Sequence, residues 1–467
     1  MKRSIIFALA MCLLAMALAT SPARAQNGFT NLHSFDFTDG FSPYAGVTLS
    51  GSTLYGTTER GGSAGGAAVY KINTDGSGFT NFLSFGGTAH TIGGVVVSGS
   101  TVFGVTLNPG IVFAVSTNGI GLITLHDFGT GGGSNPEATL TLGGSTLFGT
   151  TANGDNLFQV STGGTGFTNL YSFSATSGPL QTNSDGVEQA EVAAPFGNQS
   201  TYGSLIQSGT TLFGIAIGGG TGGSGTIFSF NLINSNFTTL YSFSAKPGTT
   251  NADGANPVAS MVLSGGVLYG TTLFGASNGN GGILRINTDG SHFTNLYSFS
   301  PLLNSTNSDG ANPLGALVLS LSGSSLYGAA YLGGLNGQGT VFKINTDGSD
   351  FATLYNFSPV IGGSATNSDG ANPMGAMVLS GGVLYGATQG GGIHGDGTVF
   401  ALSASPTSVP LNIRSISNAV VLTWSNPALF LQSAPTLTGA YTNVIGASSP
   451  FTNANTASNA FFRLKSN

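Results

Sequence analysis

The chain has 467 residues, of which only 6% are charged and 76 are glycine, whereas typical globular proteins carry about 25% charged residues. A hydrophobic content of 40% excludes a disordered chain, which combines low hydrophobicity with high net charge. The formal net charge of −6 argues against nucleic acid and anionic membrane surfaces as partners, because both attract basic proteins.

Residues 1–25 have the composition of a signal peptide for export. Two basic residues precede an apolar segment at positions 5–18, and Ala23-Arg24-Ala25 supplies a small-x-small cleavage site. The apolar segment is shorter than the roughly 20 residues that span a bilayer. Cleavage after Ala25 removes three of the 11 basic residues, which leaves 8 against 17 acidic ones and a net charge of −9, and it removes Cys12, the only cysteine. We therefore expect an exported protein, extracellular, at the cell surface or periplasmic, without disulfides or a membrane span.

Three short segments recur seven times each, in fixed order, between residues 26 and 403. Relatives of FTNLYSF begin at positions 29, 79, 122, 167, 237, 293 and 351. Relatives of LYGTT have their aromatic residue at Tyr55, Phe103, Phe148, Phe213, Tyr269, Tyr327 and Tyr385. Relatives of GTVFKIN follow each LYGTT segment. Such self-similarity is typical of repeat architectures.

Each unit contains four predicted strands, here called A to D. In the last units, A covers Gly375–Leu379 and B covers Val383–Thr388, and a Ser-Gly-Gly hairpin signal joins them. Strand C covers Thr340–Ile344 and strand D covers Phe351–Phe357, with an Asp-Gly turn between them. Units of about 45–60 residues with four antiparallel strands predict the blades of an all-β propeller.

The phase of the repeat predicts how a seven-bladed propeller closes. The chain opens with a D-type strand at 29–35, and its last unit ends on a C-type strand, Thr398–Leu402. Seven four-stranded blades are complete only if the first strand pairs with the last three, which removes an exposed sheet edge. A parallel β-helix is the alternative, but its rungs are much shorter and have no use for repeated hairpins.

The repeats stop near residue 403, so the repeat domain covers 26–403. Residues 404–410 read as a linker, and residues 411–467 contain the single tryptophan, Trp424, in an alternating run. This last segment predicts a small β-sandwich-like domain that resembles immunoglobulin or fibronectin type III modules, although it is short for one.

The strings FTNLYSFS, DGANP, LSGGVLYGTT and GTVFKINTDGS resemble the GloVer tandem-repeat family of exported bacterial proteins. The resemblance covers about residues 27–403, and the strings recur almost verbatim in units five to seven. It implies a secreted or surface repeat protein and no defined enzymatic activity.

The motif Asp-Gly-Ala-Asn-Pro occurs at Asp253–Pro257, Asp309–Pro313 and Asp369–Pro373, with a weaker echo at Asp185. Its Asp and Asn oxygens could bind calcium. The favoured interpretation is that they cap turns before the proline, because the motif recurs in register. No metal site or cofactor is therefore expected.

The D–A and B–C connections are long and variable, whereas the A–B and C–D connections are tight turns. In an antiparallel blade the two long connections share one end, so we expect a binding face there. A 29-residue insertion between Phe173 and Gly203 has the highest local density of acidic residues in the sequence, and long insertions of this kind are often functional. The candidate binding residues on this face are Asp185, Glu188, Glu191, Asp253, Asp309, Asp369 and Tyr331.

The predicted function is a secreted or cell-surface binding module whose ligand is a neutral, hydroxyl-rich glycan or another surface component. The long connections are rich in Asn, Ser and Thr and poor in charge, which favours such a ligand. One alternative is a polysaccharide-active hydrolase or lyase with carboxylates at the same face. The other is a purely structural surface protein. No catalytic constellation stands out in the sequence, so catalysis is the less favoured interpretation.

Overall fold

The computed structural model of the protein describes residues 28–91, 93–129, 136–151, 156–187 and 203–404 of the repeat region. Beyond it, residues 412–416, 419–424, 430–436, 441–444, 446–454 and 461–465 are described. Every regular element in these residues is a β-strand, as the sequence predicts. The predicted signal peptide and residues 405–410 of the predicted linker lie outside the described residues.

The strands of the repeat region form seven antiparallel sheets in the described residues, each containing one unit. The first strand is β1 (Phe29–Ser34). Unit one contains β2 (Thr48–Ser50), β3 (Thr53–Thr58), β4 (Gly65–Asn73) and β5 (Thr80–Gly86). Unit two contains β6 (Val96–Ser98), β7 (Thr101–Leu107), β8 (Gly110–Ser116) and β9 (Ile123–Asp127). Unit three contains β10 (Thr141–Gly143), β11 (Thr146–Thr151), β12 (Asn156–Ser161) and β13 (Thr168–Ser172). Unit four contains β14 (Ile206–Ser208), β15 (Thr211–Ala216), β16 (Thr226–Asn231) and β17 (Asn236–Ser242).

The last three units follow the same plan, and two of them have an additional short strand. Unit five contains β18 (Ala255–Pro257), β19 (Val262–Ser264), β20 (Val267–Phe274), β21 (Gly282–Asn287) and β22 (Thr294–Ser298). Unit six contains β23 (Val318–Leu319), β24 (Ser325–Ala330), β25 (Thr340–Asn345) and β26 (Ala352–Asn356). Unit seven contains β27 (Ala371–Pro373), β28 (Val378–Ser380), β29 (Val383–Gly390) and β30 (Thr398–Ser403). The sheet order is A-B-C-D throughout, and in unit seven β1 is the fourth main strand beside β30. Antiparallel meanders of this kind are the form of a propeller blade.

The A strands are shorter than the sequence predicts. In unit seven the strand begins at Val378 and not at Gly375, because residues 374–377 run alongside the neighbouring unit. A Cβ added to Gly375 would lie 2.2 Å from the backbone nitrogen of Gly46 in unit one. The preceding Ala371–Pro373, predicted as a loop, pairs with the end of β29.

The connections lie on two distinct faces. In units one to six, the A–B turn is hydrogen-bonded to the C–D turn of the same sheet, as when Thr346 N donates to Ser324 O at 3.1 Å. We call this the turn face. The D–A connections bond instead to the end of the B strand or the B–C connection, as when Ala311 N donates to Leu332 O at 2.8 Å. The long connections therefore gather at the opposite end, which we call the loop face.

A buried apolar cluster joins each consecutive pair of sheets, from units one and two to units six and seven. A further cluster joins unit seven to unit one, with Tyr385 and Val399 packed against Leu54 and Ile72. Each sheet is thus covered on both faces by apolar contacts, which leaves little surface for charged residues.

The first and last strands of the repeat region lie side by side. Strand β1 pairs antiparallel with β30, with Phe29 opposite Leu402 and Ser34 opposite Thr398. Its Phe29 ring stacks on Tyr355 of unit six at 4.2 Å, and its His33 ring stacks on Phe79 of unit one at 3.6 Å. Stacked aromatic pairs in the same position link four other pairs of neighbouring units.

The C-terminal segment forms two three-stranded sheets. One contains β31 (Asn412–Ile416), β32 (Ala419–Thr423) and β35 (Phe451–Ala454), and the other contains β33 (Phe430–Ala434), β34 (Thr442–Asn443) and β36 (Phe461–Lys465). Leu422, Trp424 and Leu431 are buried between them with Phe451 and Phe462.

Candidate functional site

The Asp of the repeated motif is buried and bound within the loop face. In Asp309, which is 3% exposed, Oδ2 accepts hydrogen bonds from Tyr297 Oη at 2.8 Å and from the backbone nitrogen and Oγ of Ser300, both at 2.9 Å. Burial, followed by the hydrogen bond to Asp309, raises the pKa of the Tyr297 hydroxyl above its usual range. The carboxylate therefore holds the end of a D strand against the connection that leads to the next unit.

The same arrangement occurs at three other predicted site residues, where Oδ2 accepts from a D-strand tyrosine and from the serine that follows the strand. These are Asp185, Asp253 and Asp369. All three are less than 8% exposed. Their carboxylates are directed into the protein and not toward solvent, so any role in binding is to shape the connections around them.

The Asn of the motif connects neighbouring units. Asn256, Asn312 and Asn372 have positive φ angles of 54–57°, which asparagine tolerates better than most residues. Asn312 Nδ2 donates to Leu273 O at 2.8 Å, and the other two make the equivalent bond to the preceding unit. The asparagine of the repeated motif therefore hydrogen-bonds to the backbone of the preceding unit and holds neighbouring units together at the loop face.

Tyr331 lies half-buried at the loop face, where it takes part in a hydrogen-bonded chain across three units. Its hydroxyl donates to Gln389 Oε1 at 2.7 Å, and Gln389 Nε2 donates to Tyr44 Oη at 3.0 Å. Burial and the nearby Glu59 carboxylate raise the pKa of Tyr44 above its usual range. These hydrogen-bonded side chains give the loop face a polar region near the ends of the B strands. The other two predicted site residues, Glu188 and Glu191, lie outside the described residues.

Exposed apolar side chains occur on both faces, among them Ile120, Ile233 and Leu321 on the turn face, and a larger number of them lie on the loop face. Six large ones lie on its connections and are more than half exposed: Phe37, Leu180, Leu303, Leu335, Ile361 and Ile393. Three of them are presented by small hairpins with paired backbone bonds. Leu303 and Thr306 exchange bonds of 2.8 and 3.0 Å, and Ile361 and Thr366 exchange bonds of 2.9 and 3.1 Å. Ser177 and Thr182 close the third hairpin, which carries Leu180.

Asp36, Asp39 and Asp396 lie on the loop face where unit seven adjoins unit one. The Thr38 hydroxyl, which donates to Asp36 Oδ1 at 2.5 Å, holds the pKa of Asp36 below its usual value. Burial, with the negative charges of Asp36 and Asp39, raises the pKa of Asp396. Asp39 accepts a hydrogen bond from the backbone nitrogen of Asp36 and contacts His33 Nε2, both at 2.9 Å. Neighbouring carboxyl groups with pKa values shifted in opposite directions are typical of acid–base pairs.

A cavity of about 130 Å³ lies where the seven units meet, lined by at least one residue from each of them. Of its described lining residues, only Glu137 carries an ionisable side chain. Glu137 is 6% exposed, and its Oε2 has no hydrogen-bond partner among the described residues. Burial alone raises the pKa of this carboxyl to about 8, so it holds a proton at neutral pH.

Glu137 was not among the predicted site residues, although the sequence contained the signal. It follows Pro136 as Tyr44, Val258, Leu314 and Met374 follow the prolines of their own units. Those four side chains belong to a buried apolar cluster. An alignment of the units on their prolines would have shown one acid among apolar residues.

Within the described residues, no three His, Cys, Asp or Glu side chains are grouped as in a typical metal site. The described part of the chain also has no helix long and apolar enough to cross a membrane.

Several solved structures share parts of this fold at low sequence identity. Virginiamycin B lyase from Staphylococcus aureus is 13% identical with a TM-score of 0.49, over 80% of this chain and 98% of that one. Oligogalacturonate lyase from Vibrio parahaemolyticus is 11% identical with a TM-score of 0.49, over 82% and 95% of the two chains. BamB from Moraxella catarrhalis is 13% identical with a TM-score of 0.41, over 77% and 82%. These similarities carry no information on ligand or activity, and no curated protein matches the sequence.

The sequence itself supplies the stronger assignment. Residues 200–443, slightly more than half of the chain, match the family described as the Gloeobacter/Verrucomicrobia repeat. The matched region contains units five to seven, where the repeated strings are most nearly identical. The protein belongs to the Gloeobacter/Verrucomicrobia repeat family.

Proposed function

We propose that this protein is an exported, seven-bladed β-propeller whose loop face binds a neutral glycan outside the cell or on its surface. The observation that carries the proposal is the set of exposed apolar side chains on hydrogen-bonded hairpins, all on one face. Exposed apolar side chains held on ordered hairpins offer contact surface to a ligand.

The seven-bladed ring is supported by contacts at every junction between units. Seven apolar clusters link the seven sheets in a cycle, and the seventh links the last sheet to the first. The pairing of β1 with β30 supplies the fourth main strand of the last blade. A closed ring holds all the long connections on one rigid face, which suits recognition.

The chemistry of the loop face favours an uncharged, hydroxyl-rich ligand. Sugar rings present apolar C–H faces between hydroxyl groups, so a complementary site combines apolar side chains with a few well-placed polar groups. Leu303 and Ile361 lie on hairpins whose other residues are mostly Ser, Thr, Asn and Gly. Because paired backbone bonds already order these hairpins, less entropy is lost when a ligand binds.

The test is binding of the purified mature chain to a panel of soluble and insoluble neutral polysaccharides. Replacing Leu180, Leu303 and Ile361 together by serine should weaken binding at least about tenfold, a loss of 1.4 kcal/mol. The matched control replaces Ile233 and Leu321, which are 78% and 99% exposed in turn-face connections, and should leave binding unchanged. Equal effects of the two variants would contradict the assignment of the face. Failure to bind any polysaccharide would favour the purely structural alternative.

A polysaccharide-active enzyme is the second candidate, and the carboxylates between units seven and one favour it. The pKa of Asp36 is lowered and that of Asp396 is raised, which are the directions expected for a base and an acid. If this candidate is correct, the protein cleaves a polysaccharide that it binds, and Asp396→Asn lowers cleavage at least about a hundredfold while binding persists. Release of new chain ends from the bound polysaccharides is the measurement.

A further inference from the structure

We propose that the cavity at the centre of the ring of units is a binding site for one small cation, with Glu137 as its charged ligand. The inference concerns a different part of the molecule from the loop-face glycan site and does not depend on it. It rests on the size of the cavity, the donors and acceptors of its wall, and the position of Glu137 in the repeat.

The size of the cavity selects the class of ligand. Its volume of about 130 Å³ is well below the roughly 300–1,000 Å³ of pockets that hold organic ligands. A water molecule takes about 30 Å³ in the liquid, so the cavity is large enough for an ion with a few waters.

The wall of the cavity contains hydroxyl oxygens as well as the carboxyl of Glu137. Gly94 N donates to Thr139 Oγ and Ser204 N donates to Ser260 Oγ, both at 2.7 Å. Thr139 and Ser260 line the cavity, and each hydroxyl oxygen keeps a second lone pair. Together with the unpartnered Oε2 of Glu137, these oxygens match the preference of hard cations for carboxylate and neutral oxygen ligands.

Among the described residues, no side chain or backbone group is hydrogen-bonded to Oε2 of the buried Glu137. A carboxyl placed in an apolar environment costs free energy unless it is paired, hydrogen-bonded or bound to a metal. Units one, five, six and seven use apolar residues at this position, so packing does not require an acid. A cation in the cavity would compensate the charge and displace the proton that the group holds at neutral pH.

The experiment is a calorimetric titration of chelator-treated, full-length mature protein at pH 7. Separate titrations use calcium, magnesium, sodium, potassium and methylammonium, which distinguishes metal ions from an organic ammonium ion. Each is repeated in two buffers of different protonation enthalpy, which reveals proton release. We expect one of these cations to bind with a stoichiometry of one and to release close to one proton.

Two variants of Glu137 decide the outcome. Glu137→Gln keeps the shape of the side chain and should weaken binding at least tenfold and abolish proton release. Glu137→Leu introduces the residue found at the equivalent Leu314, so a folded variant without a carboxyl is available if the amide variant does not fold. Asp75→Asn, an acid-to-amide change at an exposed turn of the turn face, is the control. It should bind the cation as the parent protein does.

The proposal is overturned if no cation binds saturably, so that the cavity holds water alone. It is equally overturned if the Glu137 variants bind a cation with unchanged affinity and proton release. Both Glu137 variants should retain polysaccharide binding, and the loop-face serine variant should retain cation binding. Failure of the loop-face proposal and failure of this one are therefore distinguishable.

Discussion

At position 137 the folded chain holds a carboxyl away from water, which makes stability depend on pH. Burial raises its pKa from 4.5 to about 8, so between these values the folded protein binds a proton that the unfolded chain releases. The free energy of unfolding therefore falls as the pH rises from about 4.5 to about 8. The loss amounts to at most roughly 5 kcal/mol, because each pKa unit corresponds to about 1.4 kcal/mol.

The measurement is urea-induced unfolding of metal-free protein at several pH values between 5 and 9. Glu137→Leu should remove most of the decline and be the more stable protein at pH 9. A parent protein whose stability is constant across this range, or a variant with the same decline, would contradict the buried position of the carboxyl.

The Asp–Tyr contact of the loop face predicts a large effect of a small substitution. Asp309→Ala leaves the Tyr297 hydroxyl and the Ser300 backbone nitrogen without their acceptor. An unsatisfied buried group costs about 1–3 kcal/mol, so we expect a loss of about 3 kcal/mol in the free energy of unfolding. Asp347→Ala, at an exposed turn where the carboxylate also accepts from a serine, is the matched control and should change stability little. Similar losses in both variants would show that the tyrosine contact is unimportant.

The sequence predicts the structural role of the motif, but not its partners. Recurrence in register indicates a turn-capping role, and the buried carboxylates have this role in the structure. Their tyrosine partner lies 12 or 14 residues earlier on the D strand, so only the fold brings the two together. In the first D strand, His33 replaces this tyrosine and contacts Asp39. The replacement of tyrosine by histidine can be recognised only when the Asp–Tyr contact of the other units is known.

At the scale of the strands, a glycine in the B strand fixes the packing of the sheet. In unit six, a Cβ added to Gly328 would lie 2.4 Å from the ring of Phe342 and 2.9 Å from Leu317. Gly328→Ala should therefore destabilise the protein by about 1–3 kcal/mol, the usual cost of overpacking. Gly363→Ala, in an open loop position with nothing within 4 Å, should have little effect. Thermal unfolding of the two variants tests the difference, and equal melting temperatures would contradict it.

Strand order and hairpins are predictable because each unit carries its own turn signals and apolar runs. The lengths of the A strands are not predictable from one unit, since neighbouring units determine where they begin. Gly375 is close to Gly46, a contact between residues far apart in the chain. The short strands β18 and β27 were missed for a related reason, because they form only where the motif meets the end of a B strand.

For the whole molecule, the proposed ring predicts a response to truncation that a linear repeat array would not give. A chain that starts at Ser42 lacks β1 and the fully buried Phe35. Truncating one buried phenylalanine costs about 3–5 kcal/mol, and β30 would gain an unpaired edge. We expect the entire repeat region to unfold at a lower temperature and to associate through that edge.

Calorimetry and size-exclusion chromatography of the truncated chain provide the measurement. A peptide covering residues 28–41, added in trans, should restore the melting temperature. In a linear array each unit contacts only its neighbours, so removal of an end strand would affect one end alone. A truncated protein that stays monomeric with an unchanged melting temperature would rule out the ring.

The pairing of β1 with β30 also has a consequence for the order of folding. Phe29 and Leu402 are 373 positions apart, whereas all the strands of another unit lie within some 40 residues. Bringing such distant segments together costs on the order of 2 kcal/mol more in loop-closure entropy, and β30 is synthesised after the other strands of the repeat region. Within the repeat region, β1 is therefore the first of these strands to be made and the last to be paired. Until β30 has been synthesised, β1 has no partner strand. The unpaired β1 and the aromatic residues beside it can then be bound by a chaperone or can pair wrongly with another copy of the chain.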